Sequence, residues 1–298
     1  GTDQEYGTVT RIRDGVVQLP SALALGAGHA PAGTERAWRV AGTDLAALGV
    51  NVDFAPDADV LGDRAGGAIG SRSFGSDPAA VSDQVAAAVR GLQGAGVAAT
   101  LKHFPGHGRT TDDSHAELPV LGQGADSLST VDLAPFRAGI AAGAGLVMSG
   151  HLDVRAVEPG LPASFSHAVL TDLLRGQLGF GGVVVSDALN MAPAKRWPAG
   201  EAAVRALVAG NDLLLMPPDL AAAQRGLLDG LRTGALPRPR LVEAATRVLT
   251  LRLRLSATPQ PALSAANTAA GRATVDQAAA AAVTVLRGPC RGALVTGP

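Results

Sequence analysis

Short apolar runs that close in polar residues, separated by helix-patterned stretches, restrict this 298-residue chain more than any other feature. Gly49-Val50-Asn51-Val52-Asp53-Phe54 has strand character, and so do 97–101, 145–148, 183–185 and 213–216. Each is a few residues long and rich in Val or Leu. Between them lie helix-like stretches at 34–48, 78–94, 131–142, 166–178 and 200–209. Asp77-Pro78 places a capping Asp before a Pro in a first helical turn. Thr130-Val131-Asp132 is a similar start. Gly94 or Gly96, Gly143 and Gly179 stand where these helices should stop.

Strand starts 30 to 48 residues apart, with helices between, predict βαβ units and a parallel sheet. Apolar strands without alternation suit a sheet covered on both faces. Two architectures fit: an open doubly wound sheet and a closed barrel. The glycine-rich nucleotide fingerprint after a first strand is missing, which weakens the open sheet. Asp53, Lys102 with His103, Ser149 with His151, and Ser186 with Asp187 all stand at C-terminal strand ends. In a barrel that rim is where catalytic groups converge. The plainer alternative is that polar residues simply open the loops.

Composition removes several classes. Lys plus Arg number 25 against 26 Asp plus Glu, a net charge of −1, and no basic run stands out. Nucleic acid and anionic membranes are thus not expected partners. The single cysteine, Cys290, excludes an internal disulfide and a cysteine-based metal site. The longest near-apolar stretch, 278–286, is about half a membrane span, and the opening residues carry no signal-peptide pattern. With aromatics at 3% and hydrophobic residues at 47%, the core must be built from Ala, Val and Leu. Residues 219–254 read as helices broken at Pro237-Arg238-Pro239. Residues 256–275 read as a linker, and 278–286 with 293–296 as new apolar elements.

The densest chemistry lies between Lys102 and His115, which holds three of the six histidines. The spacings do not match a helical HxxxH or HExxH zinc arrangement. Acid–base work fits better. Asp113 and His115 are two apart, and a carboxylate bonded to one ring nitrogen raises the basicity of the other. Asp187 follows the buried run 183–185 and would enter a barrel mouth; its ordinary alternative is a turn or cap role. Asp3-Gln4-Glu5, then Arg11, and Gly70-Ser71-Arg72-Ser73-Phe74-Gly75 hold groups able to grip sugar hydroxyls.

Taken together, these motifs resemble glycoside hydrolase family 3, and within it the β-N-acetylhexosaminidase branch. The resemblance rests on Lys102-His103-Phe104-Pro105-Gly106-His107-Gly108, Asp113-Ser114-His115 and Leu118-Pro119. It continues through Asp3-Gln4-Glu5, Asn51-Val52-Asp53-Phe54-Ala55-Pro56, Arg72-Ser73-Phe74-Gly75, Met148-Ser149-Gly150-His151, Val185-Ser186-Asp187-Ala188-Leu189 and Ala209-Gly210-Asn211-Asp212-Leu213. It covers about residues 2–255. The resemblance implies a TIM-type (β/α) barrel and an exo-acting, retaining β-N-acetylglucosaminidase on muropeptide or chitin fragments, without a cofactor or metal. It implies Asp187 as nucleophile and His115 with Asp113 as the acid/base dyad. Asp3, Arg72, Lys102 and His103 then hold the terminal sugar, with His151 near the same pocket. A histidine in place of a second carboxylate could admit an anionic acceptor, so a phosphorylase is an alternative, and a non-catalytic sugar-binding barrel is another.

Two departures from the family pattern stand out. Tyr6-Gly7 replaces two glycines and is expected to reshape the pocket edge. Arg109 stands where an acidic residue is common and is expected to add positive charge to the loop. The family has a strand, a helix and another strand before Asp3, so the barrel is expected to lack its first strand–helix unit. The resulting division is a barrel over 1–255, a linker over 256–275 and the opening strand of a C-terminal domain over 276–298. Such a domain favours export or the cell envelope over the cytoplasm.

Overall fold

The computed structural model describes residues 1–62, 67–110, 114 and 117–284. Its strands are β1 (Val52–Asp53), β2 (Ala98–Phe104), β3 (Val120–Leu121), β4 (Leu146–Ser149), β5 (Asp153–Val154) and β6 (Val183–Ser186). β1, β2, β4 and β6 form one parallel sheet in that order, and β3 pairs with β5 beside it. Parallel bridges extend the sheet at both edges, Thr2 to Asp53 and Val185 to Leu213. Spatial order therefore follows chain order from one edge to the other. A doubly wound sheet reverses at a switch point; this one does not, and it has the order of a barrel wall.

Expected strand 213–216 contracts to the single bridge at Leu213. Met216 is left-handed, with φ 46°, and Pro217 and Pro218 bring no N–H, so the ladder cannot continue. The inner face carries Phe54, Ala98, Leu146, Met148, Val183 and Val185. The outer face, with Ala99, Leu101, Val147 and Val184, packs against helices. Both faces are dry, which is why the strands read as unbroken apolar runs.

The helices are α1 (Ala22–Ala27), α2 (Pro31–Ala47), α3 (Pro78–Gly94), α4 (Ala125–Ser127), α5 (Ala134–Ala141), α6 (Ala199–Ala209), α7 (Leu220–Thr233), α8 (Arg238–Ser256) and α9 (Ala269–Ala281). α3 starts as expected: Asp77 Oδ1 accepts from Ala80 N at 2.8 Å, and Pro78 opens the first turn. Such a cap contributes about 1 kcal/mol. Val81, Val85, Ala88 and Leu92 form its buried face. It stops before Gly96, whose φ is 86°. The start expected at Thr130 differs: Thr130 Oγ1 donates to Asp126 O inside a turn, and 128–132 is wound as a π-helix leading into α5. Ala168–Gln177 is likewise π-wound.

The C-terminal part also differs from expectation. The break between α7 and α8 falls at Gly234–Pro237, and Pro239 lies inside the first turn of α8, where a missing N–H costs nothing. The stretch expected as linker contains the first half of α9. Thr268 Oγ1 caps it through Gly271 N at 3.0 Å, and Val275 and Ala278 bury against the main core. Residues 278–281 are thus helical; a single apolar face suffices to pack α9 on α2. The rest of the expected C-terminal strand, from residue 285, lies outside the described residues.

Candidate active site

A cleft of about 380 Å³ opens at the C-terminal ends of the parallel strands. Asp3, Glu5, Arg72, Lys102, His103, His107, Ser114 and Asp187 line one part of it. Met148, Met191 and Met216, all three methionines of the chain, line another part with Ala188 and Leu215. Four of the sequence-predicted site residues therefore meet Asp187 in one place.

Lys102 and Arg72 are held by carboxylates from the first segment. Lys102 Nζ lies 2.9 Å from Asp3 Oδ1 and 2.5 Å from Glu5 Oε1. Arg72 donates from Nε to Glu5 Oε2 at 2.8 Å and from Nη2 to Glu5 Oε1 at 2.9 Å. Burial alone would raise the Glu5 carboxyl; the charges of Lys102 and Arg72 and their hydrogen bonds outweigh it and hold the pKa at about 2. Burial likewise opposes the charge on Lys102, and Glu5 and Asp3 overcome that and keep it above its ordinary range.

His103 sits between a cation and an anion. Arg72 Nη2 lies 3.2 Å from His103 Nε2. A guanidinium only donates, so Nε2 accepts and the ring proton is on Nδ1. Nδ1 then donates to Asp59 Oδ2 at 2.8 Å. Asp59 Oδ1 also accepts from the backbone N–H of His103 and His107, at 3.2 and 2.6 Å. Burial would raise the Asp59 carboxyl, but His103 and the donors from His107 hold it at about 2. Asp57 is the opposite case. Its Oδ2 is buried without a hydrogen bond, and burial and the Asp59 charge push its carboxyl well up. Asp57, Asp59 and His103 bring ligand-type atoms within 4.8 Å of one another. The three read as a hydrogen-bonded support for the cleft.

Asp187 follows β6. Its backbone N–H donates to Ser149 O at 3.0 Å, and its Oδ1 accepts from Ala188 N at 2.7 Å. Burial favours the neutral acid, but His151, His103, the Ala188 N–H and Lys102 hold the carboxyl below its ordinary range. Asp187 is thus ionised near neutral pH.

His151 lies one layer behind the cleft and is fully buried. Its Nε2–H donates to Ala188 O at 3.1 Å, and its Nδ1 shares a hydrogen bond with Ser164 Oγ at 2.6 Å. It fixes the loop that carries Asp187. His107 is fixed similarly. Its Nδ1 donates to Thr110 Oγ1 at 2.6 Å and its Nε2 accepts from Ser114 Oγ at 3.1 Å. Asp113 and His115 lie outside the described residues; Ser114 between them is buried at the cleft wall.

Both expected departures resolve differently from the sequence reading. Tyr6 does not line the cleft. It turns inward with φ 67° and meets Trp38 edge-on, ring centroids 5.7 Å apart. Arg109 adds no free charge, because Asp132 Oδ1 and Oδ2 accept from it at 2.9 and 2.5 Å. Sequence reasoning named Glu5 only within the Asp3-Gln4-Glu5 stretch without singling it out, and it missed Asp57, Asp59 and the methionine wall. A usable signal existed for Glu5: it is two residues from Asp3, on the same side of an extended segment. For the methionines there was none.

Comparison with known proteins agrees with this geometry. The glycosyl hydrolase family 3 N-terminal domain matches residues 1–251. A β-hexosaminidase of Stenotrophomonas maltophilia (strain R551-3) is 42% identical over 245 residues, covering 78% of this chain and 72% of that protein. The solved family 3 β-N-acetylglucosaminidase of a Paenibacillus species superposes with a TM-score of 0.91 at 39% identity, over 97% of this chain and 57% of that one. The β-glucoside phosphorylase BglX superposes with a TM-score of 0.83 at 26% identity, over 89% of this chain and 51% of that one. The chain thus spans little more than half the length of these two solved relatives. With the strand order, the cleft at the strand ends and the match over most of its length, the chain belongs to glycoside hydrolase family 3.

Proposed function

We propose that this chain forms the catalytic barrel of an exo-acting, retaining β-N-acetylglucosaminidase that removes terminal N-acetylglucosamine from muropeptide or chitin fragments. The observation that carries the reading is an ionised carboxylate, Asp187, at the base of a cleft whose other side offers Asp3, Arg72 and Lys102 to sugar hydroxyls. The donors left for a sugar are few and defined. Arg72 has five N–H groups, of which four are engaged by Glu5, His103 and Ala68 O, leaving one. Lys102 has three, of which Asp3 and Glu5 take two.

In this mechanism Asp187 attacks the anomeric carbon and forms a glycosyl ester as the aglycone leaves. His115, oriented by Asp113, protonates the departing oxygen and then takes a proton from the incoming water. Both roles rest on the family resemblance of the Asp113-Ser114-His115 motif. The test is Asp187→Ala, which should lose nearly all activity; azide in the vacated space should restore part of it by displacing the β-aglycone in one step, giving the α-glycosyl azide. A 2-fluorosugar inactivator that labels another residue would overturn the assignment. Equal kcat/KM on a β-glucoside would refute the sugar preference.

A second reading, an N-acetylglucosaminide phosphorylase, is favoured by the likeness to BglX. Its test is the product: a glycosyl phosphate in the presence of phosphate, against free sugar in its absence.

A further inference from the structure

A buried cation, Lys102, and a part-buried one, Arg72, meet two carboxylates on one side of the cleft, but the carboxylates are not equivalent. Glu5 is 4% exposed, and both its oxygens are occupied: Oε1 by Lys102 and Arg72, Oε2 by Arg72. The Asp3 side chain is 34% exposed and holds Lys102 through Oδ1 alone. Among the described residues, Asp3 Oδ2 accepts no hydrogen bond. With Glu5 in place, Lys102 and Arg72 are neutralised from below. Without its charge, Asp3 would be the one carboxylate of the pair left for Lys102, and Coulomb attraction at a poorly solvated site would draw its open oxygen inward.

We infer that Glu5 is a positioning residue that does not touch the sugar: it fixes Arg72 and Lys102 and thereby leaves Asp3 Oδ2 open to accept a sugar hydroxyl. This rests on the sugar-gripping cleft proposed above. The resulting set is one open acceptor on Asp3 beside a free N–H on Lys102, with one more free N–H on Arg72 in the same cleft. A sugar hydroxyl both donates and accepts, so one or two neighbouring hydroxyls satisfy all three. A salt bridge that served stability alone would need Glu5 but would make no demand on Asp3.

The test uses aryl β-N-acetylglucosaminides lacking the 3-, 4- or 6-hydroxyl, assayed on the wild type, Asp3→Asn and Glu5→Gln. In the wild type, loss of the hydroxyl that Asp3 accepts should lower kcat/KM about ten- to a hundredfold, the usual size for a hydrogen bond to a charged group. Asp3→Asn identifies that hydroxyl, because the penalty for its removal shrinks. The same penalty should collapse in Glu5→Gln although Asp3 is intact. If Glu5→Gln slows every substrate equally and leaves the penalty at its wild-type size, the residue is only structural and the inference is overturned. Should Glu5→Gln fail to fold, Glu5→Asp keeps the charge one methylene short and should shrink the penalty in part; an unchanged penalty there overturns the inference too. If the wild type cleaves no β-N-acetylglucosaminide, calorimetric titration with N-acetylglucosamine and its deoxy forms replaces the rates. A wild type that neither cleaves nor binds defeats the proposed function itself, an outcome distinct from an active enzyme indifferent to Glu5.

Discussion

Arg72 directs Nη2 at Nε2 of His103, 3.2 Å away, and so places the imidazole proton on Nδ1, where Asp59 accepts it. Three groups from three segments are locked by the direction of one hydrogen bond. Nitrogen NMR of the neutral ring should show its proton on Nδ1, and a neutral ring protonated on Nε2 instead would contradict the arrangement. His103→Ala removes one of three donors to a buried carboxylate and the acceptor of Arg72. It should destabilise the fold by about 1–3 kcal/mol and weaken sugar binding as Arg72 loses its aim. Thermal melts and product-inhibition constants measure the two effects.

Glu5 should make the fold sensitive to acid. Its ordinary pKa is 4.5, and in the fold it is about 2. Above the ordinary value both folded and unfolded chains carry the ionised form, and the fold keeps the full benefit. As pH falls from there toward about 2, the unfolded chain takes up the proton first and the benefit is lost. The linkage is worth about 3 kcal/mol at neutral pH, shared with Lys102 rather than added to it. Denaturant melts of wild type and Glu5→Gln should therefore converge on acidification. A constant gap across that window would show that the Glu5 charge contributes nothing.

Asp53 should behave in the opposite sense. Its Oδ1 accepts from Gln4 N at 2.9 Å, while Oδ2 is buried without a partner. Burial pushes its carboxyl well up, so the folded chain holds the proton more tightly than the unfolded one. Stability from this group is present at low pH and is lost as pH rises through the folded value. Asp53→Asn keeps the acceptor for Gln4 and removes the charge. It should stabilise the chain by about 1 kcal/mol or more at alkaline pH and little in acid, read as a flatter profile of Tm against pH.

What the sequence showed and what it hid separate along one line. Local chemistry was legible. Asp77-Pro78 capped α3 where expected, and Asp187, Lys102 and His103 stand at strand ends because apolar runs close there. The joining of those ends was not. Arg72 meets Glu5 across 67 positions, and nothing local to either records the partner. Tyr6 was read as a pocket residue because its neighbours are; a left-handed backbone turned it to Trp38 instead. Arg109 was read as free charge because Asp132, its partner, lies 23 residues on in a segment read only as a helix start. Family resemblance brought in Asp3, which the residues alone left as one loop carboxylate among several.

Arg11 offers a test between the two substrate classes of the proposed function. Its backbone N–H is pinned by Gln4 Oε1 at 2.9 Å, and its side chain stands exposed on the cleft rim with no carboxylate partner among the described residues. A muropeptide fragment carries a carboxylate on the sugar beyond the cleaved bond; a chitin fragment is neutral there. If the natural aglycone is anionic, Arg11→Gln should lower kcat/KM on a carboxylate-bearing aglycone about two- to fivefold, the size of one exposed ion pair. The same variant should leave N,N′-diacetylchitobiose unchanged. Because the charge is exposed, raising the ionic strength should erase the difference between wild type and variant. An equal effect on both substrates, or one that survives high salt, would mean that Arg11 supports the loop rather than reading charge, and would turn the assignment toward neutral chitin fragments.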